Sequence, residues 1–193
     1  MVEMPTLLTT VALLATCVAA AWFDLRERRI PNLLTVGAFA AALLLRVPGG
    51  FGEVGAGLTG ALLASLLALP FFLIGGLGGG DLKFLAAVGA FLGPSRLFFA
   101  LLITALFGAV MAIVMIVRRR ALTQTFVNFR ILFSTFRFRN FSGWKGDSDV
   151  PLTIHSPAVI TVPYGVAISA GALAAWFVYT TMPGWSFMEV LAR

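Results

Sequence analysis

The chain is 193 residues long, 60% apolar and only 11% charged. Soluble domains run to about half apolar and a quarter charged, so an ordinary soluble domain is excluded. Its net charge of +6 comes from 14 Lys and Arg against 8 acids, and basic clusters beside long apolar runs read as membrane-topology signals before they read as a nucleic-acid surface. The single Cys17 excludes an internal disulfide and a Cys-built zinc site, and the single His155 excludes a two-histidine H-E-x-x-H motif, so no metal or cofactor is expected.

Apolar stretches close to the ~20 residues that span a hydrocarbon core of about 30 Å predict an all-α, polytopic membrane protein with six transmembrane helices. They fall at roughly 6–23, 32–47, 55–77, 81–93, 96–117 and 157–181, and the whole of 1–193 reads as one integral-membrane domain. The first stretch is a retained helix rather than a cleaved signal peptide, despite the lipoprotein-like Leu14-Ala15-Thr16-Cys17. Glu3 precedes it, no basic region does, and the positive charge at Arg26, Arg28 and Arg29 follows it. Breaks come at Ile30-Pro31-Asn32, Pro48-Gly49-Gly50, the glycine-rich run 75–80 and Gly93-Pro94-Ser95, by fixed or freed φ. The fourth stretch, Asp81 to Gly93, has 13 residues. At 1.5 Å per residue that is about 20 Å, so Asp81 is predicted to lie at some membrane depth.

Between the fifth and sixth stretches, 118–156 reads as a cytoplasmic loop. Phe126, Phe129, Phe133 and Phe136 follow helical spacing with Arg130 and Arg137 close to the same face, which predicts an interfacial amphipathic segment on anionic lipid. Counted by alternate connections, one side of the membrane holds Arg26, Arg28, Arg29, Lys83, Arg118, Arg119, Arg120, Arg130, Arg137, Arg139 and Lys145, and the other holds Arg46, Arg96 and Arg193. The positive-inside rule puts the first group in the cytoplasm, with Asp24 and Asp81 on that same side and both termini outside.

Acids are scarce enough that two of them stand out. Asp24 ends the first helix in Asp24-Leu25-Arg26-Glu27-Arg28-Arg29-Ile30-Pro31-Asn32, and Asp81 opens the fourth in Gly78-Gly79-Gly80-Asp81-Leu82-Lys83. Taken singly, Asp81 also reads as a helix N-cap and Asp24 as a solvated acid offsetting the arginines after it. Taken together, two carboxylates at one membrane face can share a proton, one acting as base toward a water and the other as acid toward a carbonyl. Gly78, Gly79 and Gly80 lack a Cβ, so the chain there can adopt φ > 0 and another backbone can come close, as an extended substrate strand would.

In these motifs the chain resembles the prepilin peptidases of type IV pilus and type II secretion systems, membrane aspartyl proteases of the G-x-G-D class. The late Val162-Pro163-Tyr164-Gly165-Val166-Ala167-Ile168 is similar to that family's Pro-aromatic-Gly turn. The resemblance implies that Asp24 and Asp81 are catalytic and that a prepilin or pseudopilin with an apolar N-terminal helix is cut after a glycine at the cytoplasmic face of the bacterial inner membrane. Gly78, Gly79, Gly80, Lys83 and Arg26 are read as the loop around the two acids, with no catalytic step assigned to Lys83 or Arg26. Larger members carry a cysteine-paired zinc insert and also methylate the new N-terminus. With one cysteine and no insert between its first two spans, this chain resembles the short CpaA/TadV type of Flp (tight-adherence) pilus systems, and no methyltransferase activity is expected. Alternatives are another G-x-G-D intramembrane protease, and a small proton-coupled carrier using the two acids as a relay.

Overall fold

A computed structural model describes residues 7–73, 76–118 and 162–182, and all regular structure among them is helical. The helices are α1 (Leu7–Glu27), α2 (Asn32–Arg46), α3 (Phe51–Leu73), α4 (Gly79–Leu92), α5 (Pro94–Arg118) and α6 (Tyr164–Thr181), with a 3₁₀ turn at Val47–Gly49. Five of the six, α2 counted with the turn that follows it, are long and apolar enough to cross a membrane. The predicted interfacial segment and His155 lie outside the described residues.

The bundle is apolar on the outside. Leu7, Val11, Leu14, Val18, Trp22 and Leu25 recur at helical spacing along α1 and are all exposed. A stripe of that size suits a lipid surface. The inside is made of small residues. Lipid tails are as apolar as leucine, so helices in a bilayer associate through close packing, which small side chains permit. On α3 the buried residues are Gly57, Gly60, Ala61, Ala64 and Ala68. A Cβ at Gly60 would sit on the carbonyl oxygen of Gly89 in α4, and one at Gly89 on the carbonyl of Gly60, so α3 and α4 cross backbone to backbone. A second close crossing joins α5 to α6, where a Cβ at Gly171 would meet the Thr104 hydroxyl and the Ala100 carbonyl.

The short helix is the central one. At 14 residues α4 is about 21 Å long, and it packs against all five other helices. Its residues Phe84, Leu85 and Ala87 to Leu92 are buried. A helix apolar on all sides belongs in the core. It begins at Gly79, two residues before the predicted start at Asp81, so Asp81 lies inside the first turn and the N-cap is Gly78.

Its far end is closed by Arg46 of α2. Helix C-termini leave carbonyls without intrahelical partners, and Arg46 donates from Nε to the carbonyl of Ala90 (2.9 Å) and from Nη2 to that of Phe91 (3.0 Å). Its Nη1 pairs with Glu53 Oε2 at 2.6 Å. The guanidinium fits because Gly57 has no side chain: a Cβ there would lie 2.9 Å from Arg46 Cδ. At the same end Arg96 stacks over Trp176 and Tyr179, 5.9 and 5.6 Å from the ring centroids.

Candidate functional site

The opposite end of the bundle gathers both aspartates. The carbonyl of Asp24 accepts from the N–H of Arg28 at 3.0 Å, and Arg28 then takes φ +53°, which terminates α1. Ile30 follows, buried, and Pro31 at φ −60°, ψ 137° turns the chain into α2. The Pro31 carbonyl takes the N–H groups of Leu34 and Thr35 at 3.1 and 3.2 Å. The I-P-N tripeptide is therefore a tight reversal that returns the chain beside the end of α1.

That reversal is the platform on which α4 rests. A Cβ at Gly80 would come within 3.3 Å of the Ile30 carbonyl and 3.4 Å of its Cβ. Gly80 thus lets the first turn of α4 lie against the Ile30 backbone, and Asp81 follows it directly. The expectation of positive φ in the glycine run is corrected here. Gly78 is extended at φ −73°, ψ 150°, and among the described residues the positive-φ glycines are Gly50 and Gly93. Close approach accounts for Gly80, whereas Gly79 meets only Phe72, at an ordinary 3.6 Å.

Asp24 is 5% exposed and Asp81 is partly buried. The two carboxylates are near enough to repel one another, and the Gly78 N–H lies toward Asp81. Lys83, one turn into α4, donates from Nζ to Asn32 Oδ1 at 2.8 Å, joining the two sequence motifs directly. Arg26 is exposed, and among the described residues no hydrogen bond or ion pair joins it to either aspartate. Arg28 is the cation whose charge acts on Asp24.

One participant had gone without a role in the sequence. The N–H of Gly165, in the first turn of α6, donates to Asp24 Oδ2 at 2.7 Å in a buried setting. The Pro163-Tyr164-Gly165 turn is visible as a motif, but its spacing from Asp24 of 141 residues says nothing of contact.

Residues 11–113 match the model of the Type IV leader peptidase family. That segment carries Asp24, Asn32, Asp81 and Lys83 and stops before α6. The "Prepilin leader peptidase/N-methyltransferase" of Aeromonas hydrophila is 38% identical over 120 residues, covering 58% of this chain and 41% of that protein. Its namesake in Aeromonas salmonicida strain A449 is 36% identical over the same shares. The chain thus spans about two-fifths of the length of these curated relatives. No solved structure matches.

Proposed function

We propose, for a chain that belongs to the type IV leader peptidase family, that it is a membrane aspartic endopeptidase removing the short basic leader of prepilins. The observation that carries this reading is the meeting of Asp24 and Asp81 at one end of the bundle, from helices 57 positions apart in sequence, on a platform built by Ile30 and Gly80. The names of the Aeromonas relatives support the prepilin substrate.

Like charges a few Å apart resist double ionisation, so such a pair holds one proton between them. The ionised carboxylate takes a proton from a water as its oxygen attacks the scissile carbonyl carbon, and the protonated one gives its proton to the carbonyl oxygen. The tetrahedral gem-diol then collapses: the newly protonated aspartate gives its proton to the leaving nitrogen as the C–N bond breaks, and one gem-diol hydroxyl passes its proton to the other carboxylate, so the pair again holds one proton. General acid–base catalysis of this kind contributes about 10²–10⁴-fold. The glycine run before Asp81 lies beside the pair, where an extended substrate segment, cut after its glycine, would pass. Lys83 holds the α4 start in place through Asn32, and Arg26 stands exposed at the same rim.

The excess of cations on the aspartate side supports a cytoplasmic active site at the inner membrane, with the loop after α5 resting on anionic lipid. Absence of a cysteine-paired zinc insert between α1 and α2 supports the CpaA/TadV type serving Flp pili, without methyl transfer. The test is co-expression in membranes with a prepilin bearing glycine at its processing site. Asp24→Asn and Asp81→Asn should each abolish leader removal; normal processing by either variant rejects the two-carboxylate mechanism.

A further inference from the structure

We infer that Gly165 is a positioning residue for Asp24: the first turn of α6 comes close enough to grip one oxygen of that carboxylate through a backbone N–H. The inference rests on the catalytic role proposed for Asp24.

Three observations carry it. First, the opening N–H groups of a helix have no intrahelical partner, and the residue before α6, Pro163, makes no side-chain cap. Asp24 supplies the missing acceptor from another helix, at a length typical of a charge-assisted bond, with Oδ2 2.7 Å from the Gly165 nitrogen. Second, α6 approaches the carboxylate closely. A Cβ at position 165 would lie 2.9 Å from Asp24 Oδ2, 3.0 Å from Asp24 Cβ and 3.0 Å from Ile30 Cδ1. Glycine is the residue that lets α6 come this close. Third, the placement is fixed from below. One turn further on, the buried Ser169 hydroxyl lies 2.7 Å from the Gly165 carbonyl and 3.0 Å from the Cys17 carbonyl of α1. Helices α1 and α6 are therefore registered at two levels, Ser169 with Cys17 and Gly165 with Asp24.

The consequence is orientation. The Gly165 bond to Oδ2 holds the carboxylate in one orientation relative to α6. Misplacing a reacting group by about 1 Å can cost on the order of 10²-fold in rate. Alanine at 165 keeps the N–H but must turn the carboxylate, because Oδ2 is the nearest atom that can move.

The experiment uses the full chain in liposomes of mixed zwitterionic and anionic phospholipid, with a synthetic prepilin carrying glycine at its processing site. Gly165→Ala should lower kcat by about 30-fold or more with KM within about threefold, in line with the misplacement figure. It should also shift the carboxyl infrared band that is absent from Asp24→Asn. Ile30→Val removes Cδ1 and relieves that part of the crowding, so the Gly165→Ala/Ile30→Val pair should remain slow. Recovery of the pair to the wild-type rate would assign the effect to packing against Ile30 and overturn the proposal, as would an unshifted carboxyl band. If Gly165→Ala does not fold, Ser169→Ala decides, since it deletes only a hydroxyl: a several-fold fall in kcat with the same band shift supports the proposal, and an unchanged kcat and band overturn it. An active Asp24→Asn rejects the catalytic reading itself, whereas an inactive Asp24→Asn beside a fully active Gly165→Ala rejects this inference alone.

Discussion

Lys83 Nζ donates to Asn32 Oδ1 at 2.8 Å, tying the first turns of α4 and α2 together across 51 residues of sequence. The bond joins the cation that follows Asp81 to the asparagine that follows the Ile30-Pro31 turn. It therefore links the two segments that carry the aspartates.

Removing either partner should have the same effect. Both side chains are exposed, so folding should change by no more than about 1 kcal/mol, the usual worth of such a contact. Leader cleavage by Lys83→Met and by Asn32→Ala should each fall by roughly 3–10-fold, the rate equivalent of about 0.7–1.4 kcal/mol. The double variant should be no slower than either single one, because coupled residues do not add. Additive losses in the cleavage assay would mean that the two act separately.

The α3–α4 crossing should be the most sensitive packing point. Gly89→Ala drives a methyl into the backbone of Gly60 and the Cβ of Ala64, and the helices can only part. Overpacking of this kind costs about 1–3 kcal/mol, measurable by denaturing-detergent titration in mixed micelles. Gly37→Ala, where nothing lies within 4 Å, should instead be neutral or stabilising by up to about 1 kcal/mol, since alanine is the better helix former.

Arg46→Gln should be the costliest change at the far end. It removes the charge paired with Glu53 and the donors that close α4. With only 14% of that side chain exposed, the expected loss is about 2–4 kcal/mol. Arg46→Lys should rescue little, because a single ammonium cannot serve two carbonyls and a carboxylate in a fixed fork. Glu53→Gln should be milder, about 1 kcal/mol, as Arg46 keeps its carbonyls. The same unfolding titration checks all three.

Glutamate at either aspartate position should be a near-null in cleavage. The added methylene moves the carboxyl by more than the ~1 Å that costs about 10²-fold. At Asp24 it would also press on Gly165 and Ile30. A proton relay, by contrast, tolerates glutamate, so processing by Asp24→Glu or Asp81→Glu at more than about a tenth of the normal rate would count against the hydrolytic pair.

Helix number and order were legible because apolar length and turn chemistry are local. The break at Ile30-Pro31-Asn32 and the shortness of α4 could both be read directly. The aspartate pair was legible because acids are so few. Three things were not. Helix α4 starts two residues early, since glycines that read as a loop can be drawn into a first turn when packing on Ile30 favours it. Close approach, not positive φ, is the use made of Gly80, and sequence does not separate the two. Gly165 reaches Asp24 through a backbone N–H, a group every non-proline residue has, so nothing in its identity announces the contact.

Between the two polar ends of the bundle α4 runs through the apolar core. Phe84, Val88 and Phe91 follow one another at helical spacing and are no more than 1% exposed, and Leu13, Leu97 and Ile168 are buried in the same core. Both acids lie at one end of this core among the described residues. On the proposed mechanism, the protons that the pair exchanges in each turnover come from and return to that one end of the bundle, so the work draws nothing from a transmembrane proton gradient.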